Sequence, residues 1–132
     1  MNKKELSKYY LISKDIKNIE MKIQELNETI LSSSKITGMP HSNDVSNPTE
    51  RIVLLIEKYK SKLEKKKLDA IERLLKIENY LLTIQDIETK QIFNKRYIEL
   101  KPWIVIAREM HMSERTVYRK HKNQLKDNNE KD

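Results

Sequence analysis

From Tyr9 the apolar residues advance in alternating steps of three and four: Tyr9, Ile12, Ile16, Ile19, Ile23, Leu26 and Ile30. This is a heptad seam, and charged residues fill the positions between. Two apolar positions in seven make a stripe too narrow for a globular core face, so its partner is expected to be another helix. The pattern predicts a helix from about Lys4 to Leu31. It leaves open whether the partner helix belongs to the same chain or to another subunit.

Ser32, Ser33 and Ser34 end the seam, and the stretch to Asn47, with Gly38, Pro40, Asn43 and Asp44, reads as a loop over residues 32–47. It is long for a helix–helix connection. Asn47-Pro48-Thr49-Glu50 then signals a helix start: Asn47 as cap, proline in the first turn, Glu50 reaching back. The helix is expected to run to about Leu82 on Ile56, Leu63, Ala70, Leu74, Ile77, Leu81 and Ile84, with Lys60 and Lys67 interrupting its stripe. Beyond Leu68 the stripe widens to Ile71, Leu75 and Leu82, which predicts a second packing surface. The lysine run Lys58, Lys60, Lys62 and Lys65 to Lys67 reads first as a solvated face, with phosphate contact as the lesser alternative. Thr83 with Asp86 is expected to restart a helix that reaches about Tyr97 and presents Ile84, Ile87, Phe93 and Tyr97.

The segment from Trp103 to His121 has a different texture. Ile104, Ile106 and Met110 supply a short apolar face, and Ala107 offers the small side chain that lets two helices cross closely. Met112 follows a turn, Ser113 is placed to cap a second helix, Val117 to lock it against the first, and Pro102 pre-sets the entry. Small, turn and lock residues at this spacing match a helix-turn-helix, whose second helix enters the major groove of DNA. His111 stands where glycine is usual, though His tolerates a left-handed backbone better than most residues. Lys120 stands where an aliphatic residue is usual, and its stem is expected to lie along the core edge.

At about 100° per residue, Val117, His121 and Leu125 share the inner side of this second helix. Arg115, Thr116, Arg119, Lys122 and Asn123 share the outer side. Guanidinium groups suit guanine edges, an amide suits adenine, and lysine seeks phosphate. Tyr118 and Lys120 flank that face as backbone contacts, and Lys101 and Arg108 complete the expected DNA-binding set. His121 reads as a core-edge residue and Trp103 as a packing anchor. Residues after Gln124 are polar and are expected to fray.

Composition narrows the classes. One glycine, three prolines, 36% charged and 37% apolar residues describe long solvated helices with narrow buried faces. There is no cysteine, hence no disulfide and no thiolate site. No apolar run is long enough for a signal peptide or a membrane span, so a cytoplasmic protein with no membrane partner is expected. The net charge is +7, and from Lys101 to Lys126 seven basic residues face only Glu109 and Glu114. A clustered excess of this kind suits a polyanion. No Gly-rich phosphate loop, no Ser/His/Asp set and no carboxylate–His cluster with ligand spacing is present; His41 reads as a loop residue. No enzymatic activity, metal or cofactor is expected.

The stretch "IETKQIFNKRYIELKPWIVIAREMHMSERTVYRKH" resembles region 4 of sigma-70-type factors and, more closely, the phage RinA/ArpU-type late transcriptional regulators. The segment "ITGMPHSNDVSNPTERIVLLIEKY" resembles the "GMP…S.P" segment ahead of the long helix in related small phage proteins. The resemblance implies a small DNA-binding regulator with a helical N-terminal part.

The chain is therefore expected to be all-α: a long helical hairpin or coiled-coil-like part over 1–82, a helix-turn-helix over 83–125 and a polar tail over 126–132. The leading function is a sequence-specific transcriptional regulator of phage or mobile-element genes, acting as an activator on double-stranded DNA. RNA polymerase and a second copy, paired through the N-terminal helices, are its expected partners. A packaging protein of the small-terminase kind and a pure coiled-coil adaptor are the alternatives.

Overall fold

A computed structural model describes residues 1–34 and 48–131. Among the described residues the protein is all-α, with no strand: α1 (Lys3–Ser34), α2 (Pro48–Leu81), α3 (Ile87–Phe93), α4 (Trp103–Met110) and α5 (Glu114–Lys131). A wider turn, Asn94–Ile98, follows α3. The readings made for 35–47, including His41 and the Asn47 cap, lie outside the described residues. The chain packs as two compact units, Lys14–Asp69 and Met1–Ser13 with Ala70–Asp132, a different grouping from a cut at residue 82.

In the Lys14–Asp69 unit, α1 and α2 run antiparallel. Lys66 Nζ reaches Asp15 at 3.4 Å, and Tyr59 shares a cleft with Ile19, Lys22 and Glu25. The predicted seam of α1 faces inward here: Ile19 is buried, and Ile16, Ile23, Leu26 and Ile30 are half-buried. The inner face of α2 steps through Ile52, Ile56, Tyr59, Leu63 and Lys66. Tyr59 and Lys66 thus hold the seam positions, whereas Lys60 and Lys67, expected to interrupt it, are exposed. The physical reason is the heptad phase: steps of three, four and three from Ile56 reach Tyr59, Leu63 and Lys66. Lys66 is tolerated there because Asp15 draws its ammonium outward.

In the other unit, Asn2 caps α1, its Oδ1 accepting the Glu5 N–H at 2.8 Å. Leu6, three residues before Tyr9, extends the seam and is fully buried with Ile77, Tyr80, Leu81, Ile84, Phe93 and Tyr97. A second cluster joins Ile92, Ile106, Ala107 and Val117, flanked by Trp103, Met110 and Met112. Adjacent residues of α3 face the two clusters, Ile92 one and Phe93 the other, so this short helix is the wedge between them.

Several expectations change in this unit. The cap of α3 is Asp86, which accepts from the Thr89 N–H at 3.3 Å and from the Thr89 hydroxyl at 2.6 Å. Thr83 instead donates to the Tyr80 carbonyl at 2.6 Å and closes α2. Ile87 (72% exposed) and Ile104 (57%) point outward, because Ile92 and Ile106 take the inner positions of their helices. Ile71, Leu75 and Leu82 are exposed as well, so no described element covers the second packing surface expected on α2. The backbone of α5 continues past Leu125 to Lys131, with no glycine or proline to stop it. No helix among the described residues is long and apolar enough to cross a membrane.

Candidate nucleic-acid interface

The terminal part of the chain sets one face of α5 outward by fixing the other. The turn after Asn94 is wide: Glu99 N–H donates to the Asn94 carbonyl at 3.0 Å, and Lys101 N–H to the Lys95 carbonyl at 2.9 Å. Leu100 closes it with φ of 59°. Pro102, extended at φ −64° and ψ 152°, then opens α4. His111 ends α4 in the left-handed conformation at φ 56° and ψ 41°, and its N–H and that of Met112 satisfy carbonyls of the last turn. Ser113 caps α5, its Oγ accepting the Thr116 N–H at 3.2 Å and lying 2.9 Å from Thr116 Oγ1. Ala107 (5% exposed) and Val117 (0%) meet where the two helices cross.

The inner face of α5 is anchored by His121. Its ring stacks on Phe93 at 4.9 Å and meets the Trp103 ring edge-on at 4.8 Å, and Nε2 is hydrogen-bonded to Tyr97 Oη. Gln124 Nε2 also donates to Tyr80 Oη at 3.4 Å. Burial, with Lys3 and Arg96 nearby, pushes the His121 imidazole down from 6.5 to about 4. Burial likewise pushes the Tyr97 phenol up to about 12. Both rings are neutral at pH 7, and the unfolded chain binds the imidazole proton more readily than the folded one. Stability is therefore complete above about pH 6.5 and falls as the pH drops toward 4, by up to about 3 kcal/mol. Thermal melts across that range check this against His121→Gln, which cannot charge. Equal pH slopes for the two proteins would remove His121 as the cause.

The cations around α5 divide into two groups. Lys120, half-buried, reaches Glu88 at 3.3 Å and Asp86 at 3.5 Å. Lys101 reaches Glu109 at 2.8 Å and Glu99 at 3.4 Å, and Lys95 also meets Glu109 at 2.8 Å. The Lys101 partnership holds the Glu109 carboxyl below its usual range, and the Thr89 hydroxyl does the same for Asp86. These lysines are braces between elements, and Lys101 and Lys120, both read from sequence as contact residues, each face two carboxylates here. Thr116 spends its N–H on the cap.

Arg115, Arg119 and Lys122 are exposed, as are Asn123 and, on α4, Arg108. Among the described residues none of these cations makes an ion pair. Arg115, Arg119, Lys122 and Lys126 succeed one another by four, three and four residues, so they form one stripe along α5. Lys126 was beyond the set read from sequence, although the spacing itself could have found it. Arg96 was missed too: its guanidinium lies 4.6 Å over the Trp103 ring and donates to the Lys101 carbonyl at 3.1 Å. No regular spacing announces that contact, because the wide turn after Asn94 creates it. Tyr118, 46% exposed, also packs on Trp103 at 5.1 Å and borders the stripe.

The outcome is a helix face rich in exposed donors, backed by aromatic packing and flanked by paired lysines. Among the described residues no three His, Asp or Glu side chains gather as a metal site needs. No curated protein and no solved structure matches the chain. A family profile does match, over residues 4–131, and the chain belongs to that family, DUF722, described as a protein of unknown function.

Proposed function

We propose that this protein is a sequence-specific DNA-binding transcriptional regulator that reads the major groove with α5. The observation that carries the reading is the division of charge. The stripe Arg115, Arg119, Lys122 and Lys126 has no ion-pair partners among the described residues, while the flanking Lys95, Lys101 and Lys120 are neutralised by carboxylates. Unpaired, self-repelling cations on one helix face are matched by a polyanion. The left-handed turn at His111, the close crossing at Ala107 and the lock at Val117 support a helix-turn-helix that presents this face.

The activating role rests on the resemblance to phage late regulators. That resemblance implies an accessory factor at a promoter. It binds beside a promoter of phage or mobile-element genes and offers its N-terminal helices to RNA polymerase or to a second copy.

Selection of bound fragments from random duplex DNA tests the reading, and recovery of no common sequence ends it. On the selected site, Arg115→Ala or Arg119→Ala is expected to lose about 1–3 kcal/mol each and to relax base preference. Lys122→Ala is expected to weaken all sequences alike. Equal losses on selected and random DNA for the arginines would reassign them to phosphate. In transcription with purified components, an unchanged or lowered transcript would remove the activator role.

A further inference from the structure

The lysine run of α2 plays no part in the α5 site. Its six members divide by angle: Lys58, Lys62 and Lys65 fall within an arc of about 60°, while Lys60 and Lys67 project from the far side. Lys66 lies between, half-buried, and is spent on Asp15. Lys58, Lys62 and Lys65 are exposed, and among the described residues none of them makes an ion pair. No carboxylate stands three or four residues from Lys58 or Lys62, and only Asp69 stands so from Lys65. Glu57 and Glu64 stand at that spacing from Lys60 and Lys67 instead. The three lysines are thus neighbours of one another, at spacings of four and three where like charges destabilise a helix. A sequence under no other demand would interleave the available glutamates on this face.

We infer that Lys58, Lys62 and Lys65 form a second contact to DNA, one that grips phosphates without reading sequence. The inference rests on the proposed function, because it supplies a duplex already held by α5. The charge spacing fits. The three ammonium stems span seven residues, about 10 Å of helix, and a DNA strand offers one charge per about 3.4 Å of axis. Between Lys58 and Lys65 the arc holds these three lysines and no other residue, so no apolar side chain among them enters a lipid headgroup layer. Backbone contact of this kind adds affinity and salt dependence and leaves base preference to α5.

The test uses the full chain and a duplex of mixed sequence, with affinity followed between about 50 and 200 mM salt. Lys58→Gln, Lys62→Gln and Lys65→Gln together are expected to reduce the slope of log affinity against log salt by about 2.7, at about 0.9 per phosphate neutralised. The sequence recovered by selection should not change. Arginine at the same three positions should restore the slope, which separates charge from any disturbance of the helix. An unchanged slope in the glutamine variant, while wild type binds duplex, overturns this second contact and leaves the α5 reading standing. Wild type that binds no duplex at all overturns both. Loss of binding to anionic vesicles with unchanged binding to duplex would overturn it in favour of a membrane surface.

Discussion

Replacing Phe93 with alanine is expected to cost about 3–5 kcal/mol of stability, the usual range for deleting a buried aromatic ring. Phe93 is fully buried and is the common neighbour of three rings: Tyr80 at 6.0 Å, Tyr97 at 5.5 Å and His121 at 4.9 Å. Removing it takes the stacking partner from His121, which is the residue that anchors α5. The effect should therefore exceed that of an isolated cavity. Trp103, the sole tryptophan, touches His121 and gives a local optical reading. Its emission should shift to the red, and chemical unfolding followed by the same signal should show a lower midpoint. A midpoint unchanged within error would mean that the aromatic cluster does not support α5.

The helical elements were legible because their signals are local. The seam from Tyr9 to Ile30, the start at Pro48 and the sequence Ala107, Ser113, Val117 each encode a period or a cap that depends on near neighbours alone. The phase of α2 was not legible, since Lys66 looks polar until Asp15 is seen beside it. Nor was the orientation of α3: Ile87 and Ile92 are equally apolar, and only the presence of two clusters turns Ile92 inward and leaves Ile87 outside. Thr83 and Asp86 both suit a cap, and the choice between them was made by the Tyr80 carbonyl, which takes the Thr83 hydroxyl.

The candidate interface shows the same division. A helical wheel suffices to place Arg115, Arg119, Lys122 and Asn123 on the outer face, and all four are exposed. It cannot tell a free lysine from a paired one, because pairing depends on residues distant in sequence. Lys120 meets Asp86 and Glu88 across more than thirty positions, and Lys95 meets Glu109 across fourteen. Their pairing leaves α5's central stripe and Arg108 as the cations of the proposed interface without a carboxylate partner among the described residues. Lys120 is half-buried, and its head ties α5 to the first turn of α3.

Aspartate at both Ile19 and Ile23 is expected to cost about 4 kcal/mol or more. Ile19 is 7% exposed and Ile23 half-buried on the inner face of α1, where Ile56, Tyr59 and Leu63 of α2 supply the apolar partner surface. Each change removes a branched apolar side chain, worth about 2–5 kcal/mol where burial is complete. It also sets a carboxylate against that apolar surface, which adds a desolvation cost. Across the hairpin, Lys66 is already held by Asp15 at 3.4 Å, one turn away from Ile19 along α1. The predicted readout is a fall in helical circular dichroism at fixed temperature and a melting temperature well below wild type. Conservative Ile19→Val and Ile23→Val, which keep the seam apolar, should stay close to wild type, about 0.5–1.5 kcal/mol lower per site. A double aspartate variant with the wild-type melting temperature would show that the seam of α1 does not hold the hairpin together.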